Sequence, residues 1–312
     1  MENNNNFNNQ PHDNNNTSHP SELPTNSTSV PNYDHQQHPY PTPQGPRRRR
    51  QLRSIIIALI LIIVAISVVD EIVVRFAGRG ATFTTMNFNA NDVQQLDVRL
   101  TNMIINIQSH NENQIRVVYT PPSGGRHNNP RFEHNTATGR LEISEPRARR
   151  FGIRFNFGIS RTQGSVTVYI PENANINAAN LRTTNGRVRI DGGGIQLSRD
   201  INVRTTNGTV DAQRFTAETV YLRSTNGAVT LRDVSASKDI TARTTNGRVG
   251  ADGVTARDLT LNTTNGAIAL DNSTIHELLT ARTTNGGINL TNVDADTNRA
   301  NLRTTNGRVN IN

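Results

Sequence analysis

The chain has 312 residues and a formal net charge of +8, with no cysteine, no tryptophan and only 4% aromatic residues. Without cysteine there is neither a disulfide framework nor a thiolate metal site, and burial has to come from Val, Ile, Leu and Ala. The charge is uneven: residues 1–46 carry −4, residues 47–53 carry +5, and residues 80–312 carry +7, nearly all of it arginine because Lys238 is the only lysine.

Residues 1–46 are rich in Asn, Gln, Pro, His and Ser, as in "MENNNNFNNQPHDNNN". Such a composition buries too little apolar surface to offset chain entropy, which predicts a disordered cytoplasmic tail.

Residues 47–76, "RRRRQLRSIIIALILIIVAISVVDEIVVRF", combine a basic flank with an apolar run. Ser54 to Val69 are uncharged, and Leu52 with Ile72, Val73 and Val74 extend the run toward the roughly 20 residues that span a bilayer. The run predicts a single transmembrane helix, and the arginines ahead of it place the N-terminus in the cytoplasm and the remainder outside. A cleaved signal peptide fits less well, because its basic region would be far too long and no small-residue cleavage site follows.

Residues 80–176 hold short alternating runs such as "QLDVRL", "MIINIQ", "QIRVVYT", "GRLEIS" and "GSVTVYIP", the pattern of half-buried strands. This is the irregular N-terminal part of an all-β domain. One further stretch, "EPRARRFGIRFNFGISR", interleaves arginines with Phe151, Phe155 and Phe157, and their alternation predicts another strand more readily than a nucleic-acid or membrane patch.

From residue 177 to 312 a motif of the form Thr-Thr-Asn-Gly recurs. Its Asn-Gly pairs are Asn185–Gly186, Asn207–Gly208, Asn226–Gly227, Asn246–Gly247, Asn265–Gly266, Asn285–Gly286 and Asn306–Gly307, at intervals of 22, 19, 20, 19, 20 and 21 residues. A period near 20 marks a solenoid. Apolar residues stand six and four positions before each Asn, and three and five after it, with a shorter pair at eight and ten. Period 2 within each arm is the strand signature, so one repeat is one turn of a single-stranded parallel β-helix. Seven copies of an active site are implausible, whereas seven corners are what a solenoid needs. The Asn-Gly pair predicts a left-handed corner, since glycine accepts positive φ freely and asparagine tolerates it. Stacking predicts a ladder of Asn amides and, two residues earlier, an inward column of Thr or Ser hydroxyls.

Three residues before each Asn stand Arg182, Arg204, Arg223, Arg243, Arg282 and Arg303, with Asn262 as the exception. They predict an arginine column on a flat outward face. Such a column either keeps the sheet soluble, pairing with carboxylates such as Asp191, Asp252 and Asp271, or binds a linear polyanion through bidentate guanidinium contacts. Teichoic acid and anionic lipid headgroups are the candidate ligands, with nucleic acid ranked below them. The sequence ends at Asn312 after the second arm of the last coil, which predicts an exposed strand edge suited to self-association or to another envelope protein. Catalytic signals are poor: no metalloprotease, phosphate-loop or nucleophile-elbow motif is present, and no cofactor or metal is expected.

The order "LDVRLTNMIINIQ…QIRVVYT", "GRLEIS", "SVTVYIPENANI" and then repeated Leu-x-Thr-Thr-Asn-Gly-x-Val resembles the bacterial putative-adhesin domain family of unknown function over roughly residues 85–312. The resemblance implies a membrane-anchored β-solenoid of the cell envelope with a binding or scaffold role and no catalytic residues. Family members often lie in envelope-stress gene contexts, which implies a sensor passing a signal to the tail as the alternative role.

Overall fold

The computed structural model describes residues 74–75, 83–123, 129–146 and 163–312. The tail, the apolar run from Ser54 to Val69 and the Phe151–Phe157 stretch lie outside the described residues. Among those described, no helix is long and apolar enough to cross a membrane. Val74, which the sequence assigns to the end of the anchor, instead forms with Arg75 a two-residue strand (β1, Val74–Arg75) antiparallel to β2 (Thr84–Asn89).

The alternating runs of the N-terminal part become β3 (Gln95–Arg99), β4 (Ile104–His110), β5 (Gln114–Thr120), β6 (Arg131–Asn135), β7 (Arg140–Ser144) and β8 (Ser165–Pro171). The repeats begin with β9 (Ile176–Arg182) and β10 (Val188–Arg204), followed by β11 (Val210–Ala217), β12 (Thr219–Arg223), β13 (Val229–Ala236) and β14 (Asp239–Arg243). They end with β15 (Val249–Asp252), β16 (Thr255–Asn262), β17 (Ile268–Arg282), β18 (Ile288–Ala295), β19 (Ala300–Arg303) and β20 (Val309–Ile311). The only helical pieces among the described residues are two 3₁₀ turns of three residues each.

Two parallel stacks carry the solenoid. The arm before each corner runs β7, β3, β9, the second half of β10, β12, β14, β16, the second half of β17, and β19. The arm after each corner runs β8, β4, β10, β11, β13, β15, β17, β18 and β20. At the N-terminal end the ladder turns antiparallel: β5 lies between β8 and β2, and β6 folds back on β7. This cap covers an edge that would otherwise present unpaired backbone groups.

The inward positions are those predicted. Leu181, Val203, Leu222 and Leu261 of the first arm, Val188, Val210, Val229 and Ile268 of the second, and Val234 and Val254 of the third side are fully or almost fully buried. In the last coil Val309 and Ile311 are exposed.

The corners differ from expectation in one respect. None of the seven Asn-Gly pairs has positive φ. Their glycines are needed for space: a β-carbon on Gly208 would lie 1.8 Å from the carbonyl oxygen of Gly186, and one on Gly227 would lie 1.9 Å from that of Gly208. Successive corner backbones touch, and only glycine permits the contact. Within the regular coils, left-handed residues sit at a second corner, seven residues past the Asn, where Arg214, Asp233, Gly253, Asn272 and Asn292 have φ between 48° and 64°. That turn carries the chain from the second arm into the third side.

The Asn ladder forms as predicted and runs one coil further. Each Nδ2 donates to the Oδ1 of the preceding corner, from Asn306 back through Asn185 to Asn102, at 2.5 to 2.7 Å. The Thr and Ser column is buried from Thr183 to Thr283, but its hydroxyls bond backbone rather than one another. Thr205 Oγ1 accepts from Gly208 N of its own coil at 3.2 Å and donates to Gly186 O of the preceding coil at 3.0 Å. Ser224 repeats this with Gly227 and Gly208. Each hydroxyl thus staples a corner to the one before it.

This contact distinguishes glycines by position. Gly227→Ala is expected to lower stability by about 3 kcal/mol or more, the upper end of overpacking costs because the clash is with backbone, visible as a strongly reduced thermal midpoint. Gly250→Ala, whose β-carbon would meet nothing closer than 3.6 Å, is expected to be neutral or to stabilise by about 0.4–1 kcal/mol. Equal effects of the two would contradict the steric account.

Candidate polyanion-binding face

In a parallel stack with fixed register, equivalent residues of neighbouring coils lie about 4.8 Å apart in the backbone. The arginine column follows directly: Arg182 pairs with Arg204, Arg204 with Arg223, Arg223 with Arg243, and Arg282 with Arg303. Asn262 stands between Arg243 and Arg282. All six predicted arginines are exposed.

The structure adds a member that the sequence reading passed over. Arg99 on β3 is in register with Arg182, so the column begins one coil earlier. The signal is present as "RLTNM" at 99–103, a degenerate corner in which Thr101 and Asn102 keep their places and Met103 stands where later corners have glycine.

The two ends of the column differ in charge balance. Arg99 lies 2.6 Å from Asp97 and 3.6 Å from Glu142, and Asp97 also takes Arg140 at 2.5 Å. Beyond it the compensation stops: among the described residues, Arg182, Arg204, Arg223, Arg243, Arg282 and Arg303 form no ion pair. Arg204 is steadied by neutral groups, donating from Nε to Asn202 Oδ1 at 3.2 Å and lying 5.3 Å above the Tyr221 ring.

Two of the three carboxylates expected to neutralise the column are engaged elsewhere, and Asp271 forms no ion pair among the described residues. Asp191 binds Arg214 and Gln213, and Asp252 accepts from Asn272. Burial pushes the Asp191 carboxyl up, but the hydrogen bonds from Arg214 and Gln213 outweigh it and hold the group below its ordinary value. Lys238 pairs with Glu218, and Arg257 with Asp239 and Asp258. A polar cavity of about 420 Å³ opens beside Arg99, Arg182 and Arg204, and a smaller one of about 230 Å³ lies at the Asn262 gap. At that gap Asn262 Oδ1 is buried without a hydrogen-bond partner.

His134 is bound to the Asp92 carbonyl and packs edge-on against Phe88. His127 and the arginines of the Phe151–Phe157 stretch lie outside the described residues. Among the described residues, no group of three or more His, Asp or Glu side chains converges as a metal site would require.

The amino-acid sequence of this region matches a known family model. Residues 93–312 match the model described as Toastrack DUF4097, which covers most of the chain. The chain belongs to that family. No curated protein matches it. Among solved structures, a putative adhesin from Bacteroides fragilis is 14% identical, with 75% of this chain and 98% of that chain covered and a TM-score of 0.43. A putative adhesin from Parabacteroides distasonis is 16% identical, with 74% and 97% covered and a TM-score of 0.44. A protein named as a putative lipid binding protein from Parabacteroides distasonis is 12% identical, with 75% and 98% covered and a TM-score of 0.35.

The gap in the column allows an electrostatic test. An arginine at 262 would gain two like-charged neighbours, each costing about 0.9 kcal/mol at 4.8 Å in water and less after screening. Asn262→Arg is therefore expected to lower stability by up to about 2 kcal/mol in low salt, with the loss shrinking as salt rises in denaturant titrations. A large loss that salt does not relieve would mean the site is closed to arginine sterically.

Proposed function

We propose that residues 80–312 form a non-catalytic binding and scaffold module of the bacterial cell envelope, and that the arginine column holds a linear anionic polymer laid along the stack. The observation that carries this reading is the run of exposed, in-register arginines without carboxylate partners. Guanidinium pairs phosphate or carboxylate through two parallel hydrogen bonds, and a column supplies nearly one such group per coil. Each contact is weak in water, so affinity comes from their number along one chain.

In this reading residues 54–69 anchor the module in the membrane with the N-terminus cytoplasmic, which follows from the arginines at 47–50 and 53 ahead of the apolar run. The anchor holds the solenoid at a surface where anionic polymers and headgroups are concentrated. Teichoic acid and anionic lipid share the phosphate chemistry that the column would recognise.

The test is retention of the full chain on immobilised poly(glycerol phosphate) across a salt series. Arg204→Gln, Arg223→Gln and Arg243→Gln together are expected to weaken retention and to reduce the dependence of log K on log salt by about one per arginine removed, with the thermal midpoint preserved. Retention with the same salt dependence in the triple variant would overturn the proposal.

A further inference from the structure

A second surface lies at a different corner of the coil, where the third side turns into the next first arm. A groove of about 1060 Å³ opens there and crosses successive coils from the segment at 172–175 to His276. Its base is made of small or nearly buried apolar groups, Leu197, Ala217 and Ala236, each 6–7% exposed. Along one side run Gln196, Thr216, Ser235 and Thr255, in register from coil to coil.

Like the outward corner threonines Thr206, Thr225, Thr245 and Thr264, this polar row is left without internal side-chain partners, and it alone lines a groove of this size among the described residues. The corner asparagines bond one another, and the buried threonines bond backbone, whereas the side chains of Gln196, Thr216, Ser235 and Thr255 have no hydrogen-bond partner among the described residues. Each hydroxyl is at once donor and acceptor, and one such group recurs about every 4.8 Å along the groove.

Of the charges lining the groove, Glu218 is paired with Lys238 and Arg257 with Asp239 and Asp258, while the Glu172 carboxylate forms no ion pair among the described residues. A polyanion therefore has little to gain here. A peptide strand has no place to pair either, because the strands that form the groove already have parallel partners on both sides. An acyl chain would set a row of hydroxyls against hydrocarbon.

We propose that this groove binds a neutral linear oligosaccharide lying along the stack. Sugar hydroxyls match the bifunctional row, and the C–H faces of the rings rest on the Ala and Leu methyls. With no Phe, Tyr or Trp among the lining residues, each sugar contributes little, and binding rises with the number of sugars that span the coils.

The test uses calorimetric titration of the full-length chain with chitohexaose, cellohexaose and maltohexaose and with their disaccharides. At least one hexasaccharide is expected to bind with Kd on the order of millimolar or tighter, and its disaccharide about tenfold or more weakly. The combined variant Thr216→Val, Ser235→Ala and Thr255→Val replaces outward hydroxyls by apolar groups that strands accept, with two of the three being β-branched. It is expected to lose at least about tenfold in affinity, whereas the Arg204, Arg223 and Arg243 glutamine variant should bind the sugar unchanged. Absence of binding by all three hexasaccharides, or undiminished binding by the hydroxyl variant, would overturn the proposal. Because the arginine variant affects only the polyanion assay, failure of either surface is distinguishable from failure of the other.

Discussion

The contact between one corner glycine and the carbonyl of the corner glycine before it sets everything else in the solenoid. At under 2.2 Å from a would-be β-carbon at Gly208, Gly227, Gly247, Gly266, Gly286 and Gly307, that contact excludes every other residue and fixes each coil directly over the last. The Thr or Ser hydroxyl then joins the glycine N–H of its own coil to the glycine carbonyl beneath. The Asn amides follow in line as an external ladder. A one-residue slip would turn every inward side chain out, so the corner and the apolar pattern enforce the same register.

From this register come two outward surfaces of opposite character. Where the repeated residue is arginine, fixed stacking concentrates charge that, beyond Arg99, no carboxylate among the described residues relieves. Where the repeated residue carries a hydroxyl or amide and the surrounding charges other than Glu172 are paired, the same stacking yields a nearly neutral, hydrogen-bonding groove. Neither surface needs a strained or mobile element. Each is a one-dimensional array with a spacing dictated by the parallel ladder, suited to polymers rather than to compact ligands.

Much of this was legible in the sequence, because a period near 20 with alternation inside each arm leaves few architectures that bury the right residues. The inward positions, the Asn ladder and six arginines of the column could be read from spacing alone. The reason for the corner glycine could not. Asn-Gly ordinarily signals positive φ, and the competing demand, a backbone-to-backbone contact between coils, exists only once the coils are stacked. The true left-handed corner was hidden because Arg214, Asp233, Gly253, Asn272 and Asn292 share a conformation and not a residue type. Arg214 is the least expected of them, and its side chain is held by Asp191 at 2.5 Å. Arg99 and Asn102 were missed because Leu100 and Met103 break the motif that marks their coil. The groove left no sequence signal beyond scattered Thr, Ser and Gln, since its alignment depends on where the third side turns.

The most direct measurement is the affinity of the chain for poly(glycerol phosphate) as a function of coil number. Excising residues 227–246 joins Asn226 to Gly247, which preserves the corner and removes one coil together with Arg243. The account predicts a solenoid that remains folded by circular dichroism and binds the polymer more weakly, with a further step for each further coil removed. A shortened solenoid that stays folded and binds with undiminished affinity would contradict it.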